Sequence, residues 1–393
     1  MSIYITTKGI VSSIGNNVSE NLLAFQQLKH GISRATNVEN IRKNALLGEV
    51  KLTNDELVKE LHLDSKKDWS RTALLALKAA KEAFANQPQS KELKTGIISA
   101  TSVGGMDRSE IFYRDFYKTQ SLDKSNFVLG HDCGHHTDLL AKELNIEGFR
   151  STISTACSSA ANALMLGARL ILSGKLDRVI VGGTDALSNF TINGFGSLMI
   201  FDEEHSRPFD QTRAGLNLGE AAAYVVLESE KSLKITRNKA STKLVGWANA
   251  NDAYHQTASS PDGVGATLAM QKALKLANLN PSDIDYINAH GTATENNDFS
   301  EGTAISNQFS TQVDYSSTKG FTGHTLAAAG AIEAVFSLLS IKNQVAWKNL
   351  NFKELDPSIK YAPLTDNKNK SIQHVLSNSF GFGGNCTALT ISK

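Results

Sequence analysis

The chain has 393 residues, 41% hydrophobic and 20% charged, with 40 basic against 39 acidic side chains and a net charge of +1. That length buries a large core, as one big domain or two fused units, and the composition is that of an ordinary soluble globular protein. Near-neutrality excludes a global basic field for nucleic acid, and the three scattered cysteines, Cys133, Cys157 and Cys386, exclude a disulfide framework and fit a reducing cytoplasm.

From the N-terminus, Met1–Lys8 lacks the apolar core of a signal peptide. β-rich runs predict strands over 3–6, 95–99, 151–154, 178–181, 222–227, 243–248, 286–289, 374–377 and 388–391. Helical patterns fall over 21–27, 70–85, 158–172, 265–277, 298–309 and 326–341. This alternation argues for α/β layers. The six prolines are dispersed, so no linker separates two domains. The most apolar helices are interrupted by Arg169 or Glu333, and no membrane span is expected. A strand, a small-residue turn and an Ala-rich helix occur around Cys157. The same series returns at Tyr315-Ser316-Ser317-Thr318 and Leu326-Ala327-Ala328-Ala329-Gly330-Ala331. That suggests an internal duplication, with the two Ala-rich helices packed together at its centre.

Cys157 sits in Ser154-Thr155-Ala156-Cys157-Ser158-Ser159, where a strand becomes a helix. Unpaired N–H groups and the positive end of the helix dipole at such a junction favour thiolate. Taken alone, a Cys among alanines is a buried apolar residue. Three further strand-end loops change that weighting. They are Asn288-Ala289-His290-Gly291-Thr292-Ala293-Thr294, Ser317-Thr318-Lys319-Gly320-Phe321-Thr322-Gly323-His324 and Asn378-Ser379-Phe380-Gly381-Phe382-Gly383-Gly384. Ligand sites of α/β proteins gather at strand C-termini, so the four loops are expected around one cleft. His131-Asp132-Cys133-Gly134-His135-His136 offers metal-type side chains but no second, separated ligand pair, and reads better as a capped helix entry.

With these loops, Gly9-Ile10-Val11-Ser12-Ser13-Ile14-Gly15, Val181-Gly182-Gly183-Thr184-Asp185, Arg207-Pro208-Phe209-Asp210 and Asp252-Ala253-Tyr254-His255, the chain resembles a β-ketoacyl-acyl carrier protein synthase nearly end to end. The resemblance is to the elongating, Cys-His-His type. It implies an α/β thiolase-like fold: two pseudo-symmetric halves, here 1–240 and 241–393, in five α-β-α-β-α layers, usually as a homodimer. It implies substrates carried on the phosphopantetheine of an acyl carrier protein, with no other cofactor and no metal.

By that resemblance, Cys157 holds the acyl group and His290 and His324 donate hydrogen bonds to the malonyl-derived enolate. Lys319 and Glu333 form a supporting polar network, and the backbone N–H groups of Cys157 and Phe382 make the oxyanion hole. Thr292 and Thr294 bind the pantetheine arm, and Val103 and Phe195 line the acyl pocket and its entrance. Phe382 is a gate swinging on Gly381 and its neighbours.

Three stretches depart from the family pattern. Asn385-Cys386 stands where Thr-Asn is usual, Met199 where housekeeping members carry arginine, and 214–220 lacks the usual acidic-glycine loop. These departures imply a specialised synthase, such as one of a polyene or aryl-polyene pigment pathway. A degradative thiolase, a Cys-His-Asn starter synthase and a chain-length factor are the rivals. The His324 loop with Lys319 disfavours the first, His324 itself the second, and the retained nucleophile the third. Service as the active member of a synthase/chain-length-factor heterodimer stays open.

Overall fold

The structure is a computed structural model that describes residues 2–38, 42 and 44–393. Ten strands carry the fold: β1 (Tyr4–Ser12), β2 (Thr95–Ala100), β3 (Arg150–Ile153), β4 (Arg178–Asp185), β5 (Ala221–Glu228), β6 (Thr242–Asn251), β7 (Tyr286–Asn288), β8 (Tyr315–Ser316), β9 (His374–Gly381) and β10 (Asn385–Ser392). Their spatial order is β8-β7-β9-β10-β6-β1-β5-β4-β2-β3. The middle join, β1 against β6, is only two residue pairs, Tyr4 with Lys243 and Ile5 with Thr242. The array is therefore two five-stranded sheets in brief contact. Counted outward from the join, each sheet reads first, fifth, fourth, second, third, with parallel and antiparallel pairings at the same places. The duplication suggested by the two Ala-rich helices thus extends to the whole strand plan.

The longer helices are α1 (Arg71–Phe84), α2 (Met106–Thr119), α3 (His135–Glu143), α4 (Ser159–Leu172), α5 (Asn189–Ser197), α6 (Val264–Ala277), α7 (Glu295–Gln308) and α8 (Ala329–Asn343). Helices α4 and α8 pack on each other and each touches both sheets, α1 and α3 cover the outer face of the first sheet, and α6 and α7 cover that of the second. The result is the five-layered α-β-α-β-α arrangement of the thiolase-like fold. Strands β4 and β5 are buried at every position because helices cover both faces, which is why they read as unbroken apolar runs. Helix α8 is apolar all round for the same reason. Its Gly330 lets the two central helices touch through backbone: a Cβ there would lie 2.8 Å from both the Cβ and the N of Ala161.

The expected helix over 326–341 is a 3-10 turn, Leu326–Ala328, followed by α8. Among the described residues, Leu326–Asn343 has the length and apolarity to cross a membrane despite Glu333, yet 89% of it is buried inside the molecule, where it serves as core. Helices α2 and α5 have no counterpart in the sequence reading, and of α3 only the entry is expected. The helix entry expected at 131–136 is the start of α3, but its N-cap is Gly134 and carries no side-chain cap: Asp132 accepts the Gly134 N–H ahead of the helix, while buried His136 bonds Ser99.

Candidate active site

The turn carrying Cys157 is pinned by its own hydroxyls. After β3 the chain passes through Ala156 in the left-handed region (φ +51°), a conformation that costs a non-glycine residue about 1–2 kcal/mol. Ser159 Oγ accepts the Thr155 N–H at 2.8 Å and donates to the Ala156 carbonyl at 2.5 Å. Ser158 Oγ lies 2.7 Å from the Thr155 carbonyl. The run of small hydroxylated residues is what closes this elbow and sets Cys157 just before α4.

The sulfur is buried. Burial pushes the thiol pKa up to about 12, against the Lys319 charge and the backbone N–H groups of Phe382 and Cys157 itself, which pull it down. The sequence expectation of a resting thiolate is therefore corrected. The N–H groups and a cation are at the sulfur, but removal from water outweighs them.

His290 follows β7. Its backbone N–H and that of Gly291 donate to the two oxygens of Glu301, at 2.9 and 2.7 Å. Burial raises the Glu301 pKa to about 7. Lys319 Nζ lies 3.2 Å from His290 Nδ1, donates to the His290 carbonyl at 2.6 Å and pairs with Glu333. Glu333 is fully buried on α8, and burial lifts its pKa to about 7, against the Lys319 charge. His324 Nδ1 accepts the Leu326 N–H at 3.0 Å, and the next N–H, of Ala327, donates to Asp185 at 2.8 Å.

Cys157, His290 and His324 each present one ligand-type atom, and these three atoms lie within 4.8 Å of one another. The imidazole rings stand at 87° with centroids 5.4 Å apart. Burial first, then Lys319, holds both histidine pKa values well below the usual range, so both rings are neutral. An ammonium and a backbone N–H address their Nδ1 atoms, which leaves Nε2 as the protonated nitrogen on each ring. The cluster thus offers two N–H donors where a metal ion needs lone pairs, with a lysine ammonium alongside. It suits a developing oxyanion instead.

A cavity of about 170 Å³ opens on this cluster, lined by Cys157, His290, His324, Phe195, Thr292, Thr294, Gly381 and Phe382 among others. Thr292 and Thr294 hydroxyls lie 2.8 Å apart. The Phe382 ring stacks on Phe195, centroids 5.9 Å apart. Gly381 lets the hairpin press on the elbow: a Cβ there would stand 2.9 Å from the Thr155 carbonyl oxygen and 3.2 Å from Cys157 N. Val103 does not line this cavity. It is half-buried against the apolar cluster that includes Leu187, Leu216 and Leu326, on which the cavity-lining Phe195 and Ile200 also pack. The sequence reading also missed Thr257, Asn296, Leu198 and Ile200 on the wall and the buried carboxylates of Glu301 and Asp185 behind it.

Residues 1–232 match the model of the beta-ketoacyl synthase N-terminal domain, and 242–353 that of the beta-ketoacyl synthase C-terminal domain. The chain is 31% identical to 3-oxoacyl-[acyl-carrier-protein] synthase 2 of Staphylococcus aureus strain COL, over all of this chain and 98% of that protein. Among solved structures it is similar to the ishigamide ketosynthase/chain length factor, with a TM-score of 0.94, 25% identity and coverage of 100% of this chain and 99% of that one. It is also similar to the ketosynthase ApeO in complex with its chain length factor ApeC from Xenorhabdus doucetiae, with a TM-score of 0.85, 31% identity and coverage of 100% and 98%.

Proposed function

The chain belongs to the β-ketoacyl synthase family, and from that premise we propose how its residues carry out the reaction. It is an acyl-transferring condensing enzyme: an acyl thioester is joined to malonyl-acyl carrier protein with loss of CO2, giving a β-ketoacyl product two carbons longer. Cys157 attacks the acyl thioester of a carrier protein's phosphopantetheine. The S–C bond forms, the pantetheine sulfur leaves, and it takes the proton that burial had kept on Cys157. The N–H groups of Cys157 and Phe382 hold the tetrahedral oxyanion.

Malonyl thioester then enters between the Thr292 and Thr294 hydroxyls and the Phe382 gate. Its carboxylate leaves as CO2, and the electron pair left behind forms an enolate whose oxygen accepts from Nε2–H of His290 and His324. The enolate carbon attacks the Cys157 thioester, and the sulfur departs as thiolate and takes a proton from solvent, the first having left on the pantetheine thiol. Lys319 and Glu333 act behind His290, fixing its tautomer. The observation that carries this reading is the convergence of two buried imidazoles, their Nδ1 atoms facing Lys319 Nζ and the Leu326 N–H, on one buried thiol.

The division into halves at 1–240 and 241–393 belongs to the same proposal and is supported by the repeated strand plan. So does assembly as a dimer. Among the described residues, strand β3 ends the sheet order with one edge unpaired, and α2 and the segment after it, which pack on each other, expose Tyr113, Tyr117 and Leu129. The partner is a second copy or a chain length factor, the latter favoured by the two solved structures above whose titles name one. Carrier-protein-bound substrates in a specialised polyene or aryl-polyene pathway, and a cytoplasmic setting, complete the proposal. The three free cysteines support that setting.

The test is reconstitution with acyl- and malonyl-acyl carrier protein, following CO2 release and the intact mass of the enzyme. The wild type gains one acyl group and releases CO2, while Cys157→Ala gains none and makes no condensation product. Undiminished product from Cys157→Ala overturns the reading.

A further inference from the structure

Asn385 begins β10, immediately after the Phe382-Gly383-Gly384 loop, and pairs across the hairpin with Gly381. Its side-chain oxygen is an acceptor for three donors from two elements at once. Ser158 Oγ lies 2.7 Å away, Asn162 Nδ2 3.0 Å and Asn249 Nδ2 2.7 Å. Ser158 and Asn162 belong to the first turn of α4, directly after the nucleophile, and Asn249 to β6 of the second sheet. The partners are themselves cross-linked. Asn162 Nδ2 reaches Thr155 Oγ1 at 2.9 Å, and Thr387 Oγ1 and Asn249 Nδ2 reach Asn162 Oδ1 at 2.9 and 3.1 Å.

We propose that Asn385 is a positioning residue for the oxyanion hole, its side-chain carbonyl holding the Phe382 N–H at a set distance from the Cys157 N–H. This inference rests on the catalytic reading above and extends it to a residue where the family pattern has threonine. One donor of the hole precedes Ser158 by a residue, and the other precedes Asn385 by three. The hydrogen bond between those two side chains is therefore a short strut across the hole. An amide oxygen lies one bond farther from the backbone than a threonine hydroxyl and carries no proton of its own. It can therefore face a ring of donors with no proton of its own to place, whereas a hydroxyl here would have to find an acceptor for its proton among them.

The hole acts on the tetrahedral species of thioester exchange, whereas decarboxylation uses the imidazoles. Asn385 thus bears on one half of the chemistry and leaves the other alone. A residue holding the fold in general would affect both.

The experiment measures two partial reactions. One is single-turnover acylation of Cys157 from acyl-acyl carrier protein, read by intact mass. The other is CO2 release from malonyl-acyl carrier protein without an acyl donor. Asn385→Leu keeps the volume and removes the acceptor, and is expected to slow acylation about tenfold or more while CO2 release stays within about twofold. Asn385→Asp keeps the acceptor and restores acylation to within about threefold of wild type. Should Asn385→Leu fail to fold, Asn249→Ala removes one donor to the same oxygen and is judged by the same split.

Acylation at the wild-type rate in the acceptor-less variant overturns the proposal. An equal fall in both reactions, or no recovery with Asn385→Asp, does so too. A wild-type enzyme that neither takes an acyl group on Cys157 nor releases CO2 overturns the catalytic reading itself, and this inference with it.

Discussion

The Lys319 ammonium stands 3.2 Å from Nδ1 of His290 while pairing with buried Glu333. One cation therefore does two things: it fixes which nitrogen of His290 carries the proton, and it compensates a carboxylate that has no contact with water.

Replacing Lys319 by Met gives a stability loss that grows with pH. Glu333 titrates near 4.5 when exposed and at about 7 in the folded wild type, raised by burial and held back by Lys319. The folded state therefore binds the extra proton between those values, and its stability falls as pH rises from 4.5 to 7, then levels off. Without Lys319 the folded pKa rises further and the decline continues. Urea unfolding at pH 6.5, 7.5 and 8.5 should show the gap to wild type widening by about 1.4 kcal/mol per unit above 7. A constant gap contradicts the pairing.

Alkylation of Cys157 by iodoacetamide should climb about tenfold per pH unit from 7 to 10, since its thiol is pushed up to about 12. Lys319→Ala, which removes a charge that pulls this pKa down, should be slower at every pH. A plateau below pH 9 would show a thiolate already present at rest.

The left-handed Ala156 predicts an inverted size preference at the elbow. Ala156→Gly relieves the backbone strain at the cost of a more mobile unfolded chain, and should stay within about 1 kcal/mol of wild type. Ala156→Val puts a β-branched residue in that region and should cost about 2–3 kcal/mol, with loss of acylation. Equal melting temperatures for the two variants would contradict the elbow geometry.

Phe195 and Phe382 stack beside the cavity that reaches Cys157, and in the proposed reading this stack holds the Phe382 gate closed. An aromatic pair contributes about 0.5–1.5 kcal/mol, so Phe195→Ala should raise unprimed CO2 release from malonyl-acyl carrier protein about two- to tenfold. Unchanged release would mean that the gate opens without breaking this stack.

The sequence made the layers legible where periodicity reports burial. Strands β4 and β5 and helices α1, α4 and α8 lie within a few residues of their expected positions, because each is enclosed by apolar neighbours. Helix α2 escaped notice since it is largely polar and none of its residues is buried. The four loops that meet at the sulfur could be named from residue type and strand-end position. What stayed hidden depends on three dimensions: the Asn162–Asn249–Asn385 network joins residues far apart in the chain, and Glu301 and Asp185 reach the His290 and His324 loops from other elements. The thiolate expectation failed for a similar reason. A helix dipole can be inferred from a local pattern, whereas the depth at which a sulfur is withdrawn from water cannot.

The first sheet brings the nucleophile, and the second brings both imidazoles and the lysine, with only two residue pairs stitching the sheets edge to edge. Cutting the polypeptide between β5 and β6 would therefore produce one fragment with a thiol and no proton donors and another with donors and no thiol. Each would be inert by itself. Turnover would return only when the fragments re-dock, with the backbones of Ala161 and Gly330 again in close approach, which makes catalysis a direct reporter of whether the two repeats of the strand plan have found each other.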